Sequence, residues 1–438
     1  MAYMKSIWKA KGGRHLEGEM TVPGDKSISQ RALLFSALAQ GESTIKGLLQ
    51  GEDVLSLARA LRALGVRIEG NLEARVQGVG MKGFSPPASP LDLGNSGTAM
   101  RLLCGVLAAA PFSSVLVGDK SLMARPMERV AAPLRQMGAC IATTEGHAPI
   151  SISPAPDGLW GMEHKLSVAS AQVKSAILLA GLFAKGMTAV EEPAPSRDHT
   201  ERLLPAFGVR VEKSANRAQL QGGQELVPTH VQVPGDFSSA FFFLVAGALA
   251  LSGRVLVRGV GVNPTRTGGL EILRAMGANI AVTPRGQAGQ EPMADIDVLP
   301  SSLKGIEVDP ALVPLAIDEF PAIFIAAALA SGRTLIRGAE ELRVKESDRI
   351  HAMAQALLAL GARVRELPDG MEIEGVEKLR GGVVDSQGDH RVAMAMATAS
   401  LRSQEPITIL DTAPVATSFP GFLEAASALG LSISKNGL

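Results

Sequence analysis

Six short polar clusters recur along the chain, each ahead of an apolar, Ala- and Leu-rich stretch: Asp25-Lys26-Ser27, Asn95-Ser96-Gly97-Thr98, Ser170-Ala171-Gln172, Asp236-Phe237-Ser238-Ser239, Asp318-Glu319-Phe320-Pro321 and Asp389-His390-Arg391. Asp, Asn and Ser are good helix N-caps because their side-chain oxygens satisfy free helical N–H groups. Capping accounts for a cluster such as that of Asp236. It does not account for Lys26, Arg31, Arg101, Lys174 and Arg391, which lie on or near the same helix starts. Positive charge there opposes the helix dipole. A bound anion would reconcile the two, since free N–H groups and cations can hold it jointly. More cations stand in short polar loops: Arg125-Pro126, Arg197-Asp198-His199 and Arg343-Val344-Lys345-Glu346-Ser347-Asp348-Arg349. If the end of the last loop is helical, Lys345 and Arg349 share a face. A solvated surface would explain any one of these cations. Together, in a chain with 43 Lys plus Arg against 43 Asp plus Glu, they predict a local site for a small ligand with several negative charges. Phosphate and carboxylate are the groups that bidentate arginine suits.

Candidates for moving protons are fewer. Asp318 and Glu319 open an apolar stretch, and Glu346 lies between cations. A carboxylate so placed keeps a defined ionisation state and can transfer protons; a structural ion pair is the alternative at each position. The chain has no Walker-type phosphate loop, GxGxxG, HExxH or GxSxG, and of its seven histidines only His390 lies inside a motif. The residues therefore point to direct transfer between anionic small molecules, with no nucleotide, metal, flavin or other cofactor. Which transfer it is, they leave open.

The elements that must present these residues repeat. Six times an amphipathic segment ends in a Gly followed by a short β-like stretch, with the glycines at 65, 138, 208, 277, 361 and 430. Gly there predicts a helix C-cap, because it accepts positive φ without a Cβ clash. Upstream of each ending come the polar cluster, its apolar helix, a small-residue turn and a short strand such as Ser43-Thr44-Ile45 or Thr334-Leu335-Ile336. That is a helix–strand–helix–strand unit of an α/β protein, made six times over. Val22-Pro23-Gly24-Asp25 returns as Val233-Pro234-Gly235-Asp236, and Pro-Gly at both places marks a pair of linkers. The expected domains are 23–234 and 235–438, with residues 1–22 returning to the latter as an added strand or hairpin.

Composition narrows the function classes. Zero formal net charge argues against nucleic-acid and anionic-membrane partners. An aromatic content of 4%, with one Tyr, argues against base-stacking platforms. Two cysteines, Cys104 and Cys140, make neither a disulfide scaffold nor a four-ligand zinc site and suit a reducing cytoplasm. Residues 1–13 carry lysines but no apolar core with a cleavage site, so no secretion signal is expected. The longest apolar run, Ala240 to Leu251, is far short of the roughly 20 residues a membrane helix needs. It reads as a buried helix.

Two further stretches extend the clusters: Pro23-Gly24-Asp25-Lys26-Ser27-Ile28-Ser29-Gln30-Arg31-Ala32 and Leu93-Gly94-Asn95-Ser96-Gly97-Thr98-Ala99-Met100-Arg101. With Arg343 to Arg349 and Gly388-Asp389-His390-Arg391, in this order, they closely resemble the signatures of the 5-enolpyruvylshikimate-3-phosphate synthase family. The resemblance covers nearly the whole chain. It implies a two-domain inside-out α/β barrel of six βαβαββ-type repeats, three per domain, closing on the substrates. The implied reaction is transfer of the enolpyruvyl group of phosphoenolpyruvate to shikimate 3-phosphate, by a cytoplasmic monomer. By position, Lys26, Ser27 and Arg31 would hold shikimate 3-phosphate, with Ser170 and Ala171 at its phosphate. Lys26 would also reach phosphoenolpyruvate and count, with Asp318 and Glu346, among the catalytic residues, and Gln172 would lie near both substrates. Gly97, Arg125, Arg349 and Arg391 would hold phosphoenolpyruvate. Asp318 resembles the base for the 5-hydroxyl and Glu346 the group that protonates the methylene carbon, with Lys345 close to the reacting centre.

Ser-Ala-Gln at 170–172, Arg197-Asp198-His199-Thr200 and Thr417-Ser418-Phe419-Pro420 resemble the second class of these synthases. A lysine contact with phosphoenolpyruvate found in the other class is then absent at Thr417, and Arg197 would instead help bind the shikimate phosphate. Gly97 is the small residue whose replacement by Ala narrows the phosphoenolpyruvate pocket in herbicide-tolerant relatives. On that residue alone the resemblance implies glyphosate sensitivity, which class features elsewhere can reverse. The nearest rival moves the same group onto UDP-N-acetylglucosamine but typically carries a reactive Cys in the loop before the Arg matching Arg125. Here 117–124 reads Val-Gly-Asp-Lys-Ser-Leu-Met-Ala, with no Cys, and Cys104 reads as core. A non-catalytic or RNA-binding repeat protein is the rival from another class.

Overall fold

Helices that are apolar on all sides must be surrounded by protein, and six such helices organise the chain. Lys26–Leu38, Gly97–Leu107 and Ala171–Phe183 are buried along nearly their whole length. Phe237–Leu249, Phe320–Ala328 and His390–Ala399 are buried throughout. The run 240–251 thus lies mostly in a core helix and not in a membrane span; no helix among the described residues is long and apolar enough to cross one. The structure, a computed structural model, describes residues 6–13, 15–214 and 216–436; residues 1–5 of the expected N-terminal strand lie outside them.

The chain is a mixed α/β protein of two compact units, one of 1–23, 235–286 and 292–438, the other of 24–234 with 287–291. Each has its own apolar core. Within the second unit the Asp25 N–H donates to the Pro234 carbonyl at 2.8 Å, and within the first the Asp236 N–H donates to Pro23 at 2.8 Å. The two Pro-Gly turns therefore tie off both units in the same way.

One order of elements recurs. Over 91–153 it is strand Leu91–Asp92, helix Gly97–Leu107, strand Ser114–Val117, helices Lys120–Met123 and Glu128–Gln136, then strands Cys140–Thr144 and His147–Ser153. The first two strands pair in parallel and the rest antiparallel, so the sheet runs first, second, fourth, third. The sheet of 163–221 has the same order. In three of the other described sheets a strand from far along the chain takes part. His230–Gln232 lies parallel to Gln40–Lys46, and His15–Thr21 lies parallel to Ser252–Gly261. Ile7–Lys11 sits between Ile407–Leu410 and Ser432–Asn436. The N-terminal segment thus enters two sheets as two separate strands, not as a hairpin. All six glycines that end the second helices have positive φ, between 82° and 102°, which supports their reading as C-caps. The second helix is short in one case: His199–Leu203 passes into the 3₁₀ turn Leu204–Phe207, because Pro205 cannot donate an interior helical hydrogen bond.

Candidate active site

In the second unit the starts of the three central helices collect the expected cations. Asp25 caps its helix by accepting from the Ile28 N–H at 2.8 Å. Next to it, Lys26 Nζ is 2.9 Å from Asp53 Oδ2, a partner supplied by the first turn of the helix Glu52–Ala63. Arg31 is fully buried. Its Nε donates to Thr200 Oγ1 at 2.7 Å, Nη2 to Ser175 Oγ at 2.8 Å, and Nη1 to the Ser27 carbonyl at 3.1 Å. Burial pulls its guanidinium down to about 10, against the pull of Glu201, Asp25 and Glu291 and helped by the nearby cation Arg197.

Ser96 caps the second central helix through Ala99 N–H at 3.2 Å and accepts from Gln30 Nε2 at 2.6 Å. At the first helical residue, Gly97, a Cβ would stand 2.9 Å from Arg101 Nη1 and 3.1 Å from Arg125 Nη1. Glycine is thus what lets two buried guanidiniums approach this backbone. Arg125 donates to the Asn95 carbonyl at 3.2 Å and to its side-chain oxygen at 2.5 Å. Arg101 donates to Gln172 Oε1, and Gln172 Nε2 donates to Thr98 Oγ1 at 2.7 Å. Gln172 therefore joins the second helix start to the third, where Ser170 makes no side-chain cap. The Ser170 N–H donates instead to Glu192 Oε1 at 2.8 Å.

Lys174 departs from the expectation of an anion-binding cation. Its Nζ lies 2.7 Å from Glu192 and 2.9 Å from Glu201, all three buried. Burial disfavours its charge, but the two glutamates hold it above the ordinary lysine range. It is the centre of an internal ion triad. His199, from the Arg197-to-Thr200 motif, is likewise committed, with Nδ1 2.7 Å from Glu291.

In the first unit one guanidinium gathers the acids. Arg349 Nη2 donates to Glu346 Oε2 at 2.6 Å, Nη1 to Asp318 Oδ1 at 3.3 Å, and Nε to Asp389 Oδ2 at 2.7 Å. These carboxylates hold its charge well above the ordinary arginine range despite burial. Burial would raise the Asp389 carboxyl, but Arg349 beside it keeps it below the usual range. Asp389 also caps His390–Ala399 by accepting from the Arg391 N–H at 2.8 Å. Arg391 Nη1 in turn donates to the Asp318 carbonyl at 3.0 Å, and its Nη2 is 3.7 Å from Asp318 Oδ2.

Asp318 and Glu319, adjacent in sequence, go to different places. Glu319 accepts from Ser238 Oγ, and its Oε1 is 3.7 Å from Arg266, which also lies 3.7 Å from Asp236. That is a buried structural cluster; Asp318 is the one placed with Arg349 and Arg391. Lys345 does not share a helical face with Arg349. It ends the 3₁₀ turn Glu340–Val344, and the next helix starts only at Arg349. Burial lowers it below the ordinary lysine range, against Asp318, Glu341 and Glu346, and Arg349 adds to the lowering.

The structure thus brings Asp318, Glu346, Arg349 and Arg391, with Lys345, together in one unit. In the other it gathers Lys26, Ser27 and Arg31, and separately Gly97, Arg125 and Gln172. Arg197 lies within electrostatic reach of Arg31. The partners Asp53, Ser175 and Glu192 carry no local signature. Only Asp389 and Thr200 stood inside motifs that could have flagged them.

A family model described as EPSP synthase (3-phosphoshikimate 1-carboxyvinyltransferase) matches residues 10–425. A relative from Methylococcus capsulatus named 3-phosphoshikimate 1-carboxyvinyltransferase is 54% identical over 430 residues, covering 98% of each chain. Another of that name, from Acidithiobacillus ferrooxidans, is 56% identical over 421 residues, covering 96% of each. A solved structure of EPSP synthase from Acinetobacter baumannii superposes with a TM-score of 0.88 at 50% identity, covering 99% of this chain and all of that one.

Proposed function

The chain belongs to the EPSP synthase family, and from that premise we propose that it transfers the enolpyruvyl (carboxyvinyl) group of phosphoenolpyruvate to the 5-hydroxyl of shikimate 3-phosphate, releasing phosphate. This is a transferase step of the shikimate pathway, which leads to chorismate and the aromatic amino acids. One observation carries the assignment of roles: a single buried guanidinium, Arg349, holds Asp318 and Glu346 together.

The reaction is an addition followed by an elimination. Asp318 takes the proton of the 5-hydroxyl as its oxygen bonds to C2 of phosphoenolpyruvate, and Glu346 gives a proton to the methylene carbon, which becomes a methyl. In the second half the methyl returns a proton and the C2–O bond to phosphate breaks, leaving the enol ether. Positioned general acids and bases contribute roughly 10²- to 10⁴-fold to such transfers. Lys345, lowered by its burial, is readier than an ordinary lysine to share this traffic. Lys26 reaches both substrates. Ser27, Arg31, Ser170, Ala171, Gln172 and Arg197, with Asp318 and Lys345, hold shikimate 3-phosphate. Gly97, Arg125, Gln172, Arg349 and Arg391 hold phosphoenolpyruvate. The supporting physics is charge: two polyanions need cations in a low-dielectric setting.

The two domains of this reading are 1–22 with 235–438, and 23–234, forming an inside-out α/β barrel of six repeats. The recurrent sheet order supports it. The balanced charge supports small-molecule substrates over nucleic acid, and the reading takes the enzyme as a cytoplasmic monomer. The test is phosphate release from phosphoenolpyruvate with shikimate 3-phosphate or UDP-N-acetylglucosamine as acceptor. Release that needs shikimate 3-phosphate and is lost in Asp318→Ala and Glu346→Gln is the expected result; release only with the sugar nucleotide would overturn it.

A further inference from the structure

Two arginines, Arg31 and Arg349, are among the largest fully buried side chains, and their surroundings are opposite. Arg349 has three carboxylates on its nitrogens. Among the described residues Arg31 has none in ion-pair range: each nitrogen meets a neutral oxygen, from Thr200, Ser175 and the Ser27 carbonyl. A guanidinium carries five N–H donors and no acceptor, so both hydroxyl oxygens must face it as acceptors, and two N–H groups are left over. The Thr200 hydroxyl can then donate in one direction only, to Ser175 Oγ at 2.7 Å. The result is a closed triangle of Thr200, Ser175 and Arg31, drawn from residues 169 and 144 positions away from the arginine.

We infer that Thr200 and Ser175 are positioning residues for Arg31: they lock its guanidinium with neutral acceptors, so that a cation with no carboxylate on its nitrogens is delivered to the shikimate 3-phosphate. This rests on the reading that Arg31 holds that substrate. A carboxylate in either place would anchor the side chain as firmly but would cancel the charge the substrate needs. A hydroxyl anchors without cancelling. Burial lowers the affinity of Arg31 for its own proton even though Glu201, Asp25 and Glu291 act the other way from beyond ion-pair distance. Its order also matters: planar bidentate recognition works only when the fork is held in one orientation.

Steady-state kinetics with each substrate varied, alongside thermal unfolding, test this on Thr200→Val, Thr200→Ser, Ser175→Ala and Arg31→Ala in the full chain. Hydrogen bonds to a charged group are worth roughly 10- to 100-fold in an equilibrium constant. Thr200→Val is therefore expected to raise KM for shikimate 3-phosphate roughly 10-fold or more, with kcat and KM for phosphoenolpyruvate within about two-fold. Thr200→Ser, which keeps the hydroxyl, should restore it. Ser175→Ala should act in the same direction and carries the test if Thr200→Val does not fold. If Arg31→Ala raises that KM while Thr200→Val and Ser175→Ala do not, the hydroxyl lock is wrong and the substrate reading of Arg31 stands. A KM unmoved by Arg31→Ala overturns both. Equal damage to the two KM values, not rescued by serine, would show a merely structural role and overturn the inference.

Discussion

Replacing Arg349 by Met isolates what its guanidinium does for the acids around it. The side chain is 1% exposed, and Asp389, at 0%, takes two of its contacts, from Nε at 2.7 Å and Nη2 at 3.4 Å. Asp318 and Glu346 are 15% and 17% exposed and keep some access to water. In the variant Asp389 retains the Arg391 N–H and the Ser347 hydroxyl but loses its only buried guanidinium contact among those described. Breaking a buried ion pair from one side costs about 3–5 kcal/mol, a large share of the 5–15 kcal/mol typical of a domain. The sign with pH follows from Asp389. In the wild type its carboxyl is held below the usual range, so its stabilisation is present above the unfolded carboxylate pKa and fades as pH falls through the folded one. Without Arg349, burial and the neighbouring Glu346 raise the carboxyl, opposed only by His390 and the retained hydrogen bonds; the ionised group then costs stability at neutral pH, and that cost disappears on acidification. The difference between wild type and variant should therefore be largest near pH 7 and shrink towards roughly pH 4. Urea unfolding followed by the fluorescence of Trp8, in a Trp160→Phe background, reads the relevant unit, because Trp8 stacks in its core on Phe422 with ring centroids 5.6 Å apart. Adding Asp389→Asn to the variant should recover about 1–3 kcal/mol. A difference independent of pH, or no recovery from Asp389→Asn, would refute the electrostatic account.

Other consequences are as direct. Gly97→Ala places a methyl 2.9 and 3.1 Å from two guanidinium nitrogens, so they must move by a few tenths of an ångström; KM for phosphoenolpyruvate should rise roughly 10-fold and sensitivity to glyphosate should fall, both read from initial rates. Lys174→Met strands Glu192 and Glu201 in the interior and should cost about 3–5 kcal/mol, measured by denaturant unfolding; an unchanged midpoint would contradict the ion triad. Of the two cysteines, exposed Cys140 should alkylate readily under native conditions, whereas buried Cys104, its thiol pushed up to about 12 by burial and only weakly opposed by Arg101, should label only on unfolding, as mass spectrometry of iodoacetamide-treated protein will show.

Local patterns were legible in the sequence because they are set by neighbours along the chain. The six C-cap glycines, the all-apolar central helices and the Asp and Ser caps each answer to backbone geometry or helix periodicity within a few residues. The cation clusters were legible as a charge pattern for the same reason. Their fates were not. Lys174 and Arg31 look alike as cations near helix starts, yet one is neutralised by two glutamates and the other is left among hydroxyls. Asp318 and Glu319 are neighbours, yet only one joins Arg349. Lys345 and Arg349 have helical spacing, but the backbone between them is not helical. The ionic outcomes depend on partners from 18 residues away, Lys174 to Glu192, to 169 away, Arg31 to Thr200, and the entry of Ile7–Lys11 and His15–Thr21 into two separate sheets depends on strands still farther along the chain. Residue type and spacing determined which groups were available, their charges and the elements that carry them. Tertiary packing alone decided which charges are desolvated and which are paired, because burial and Coulomb energy depend on distance in space and not along the chain.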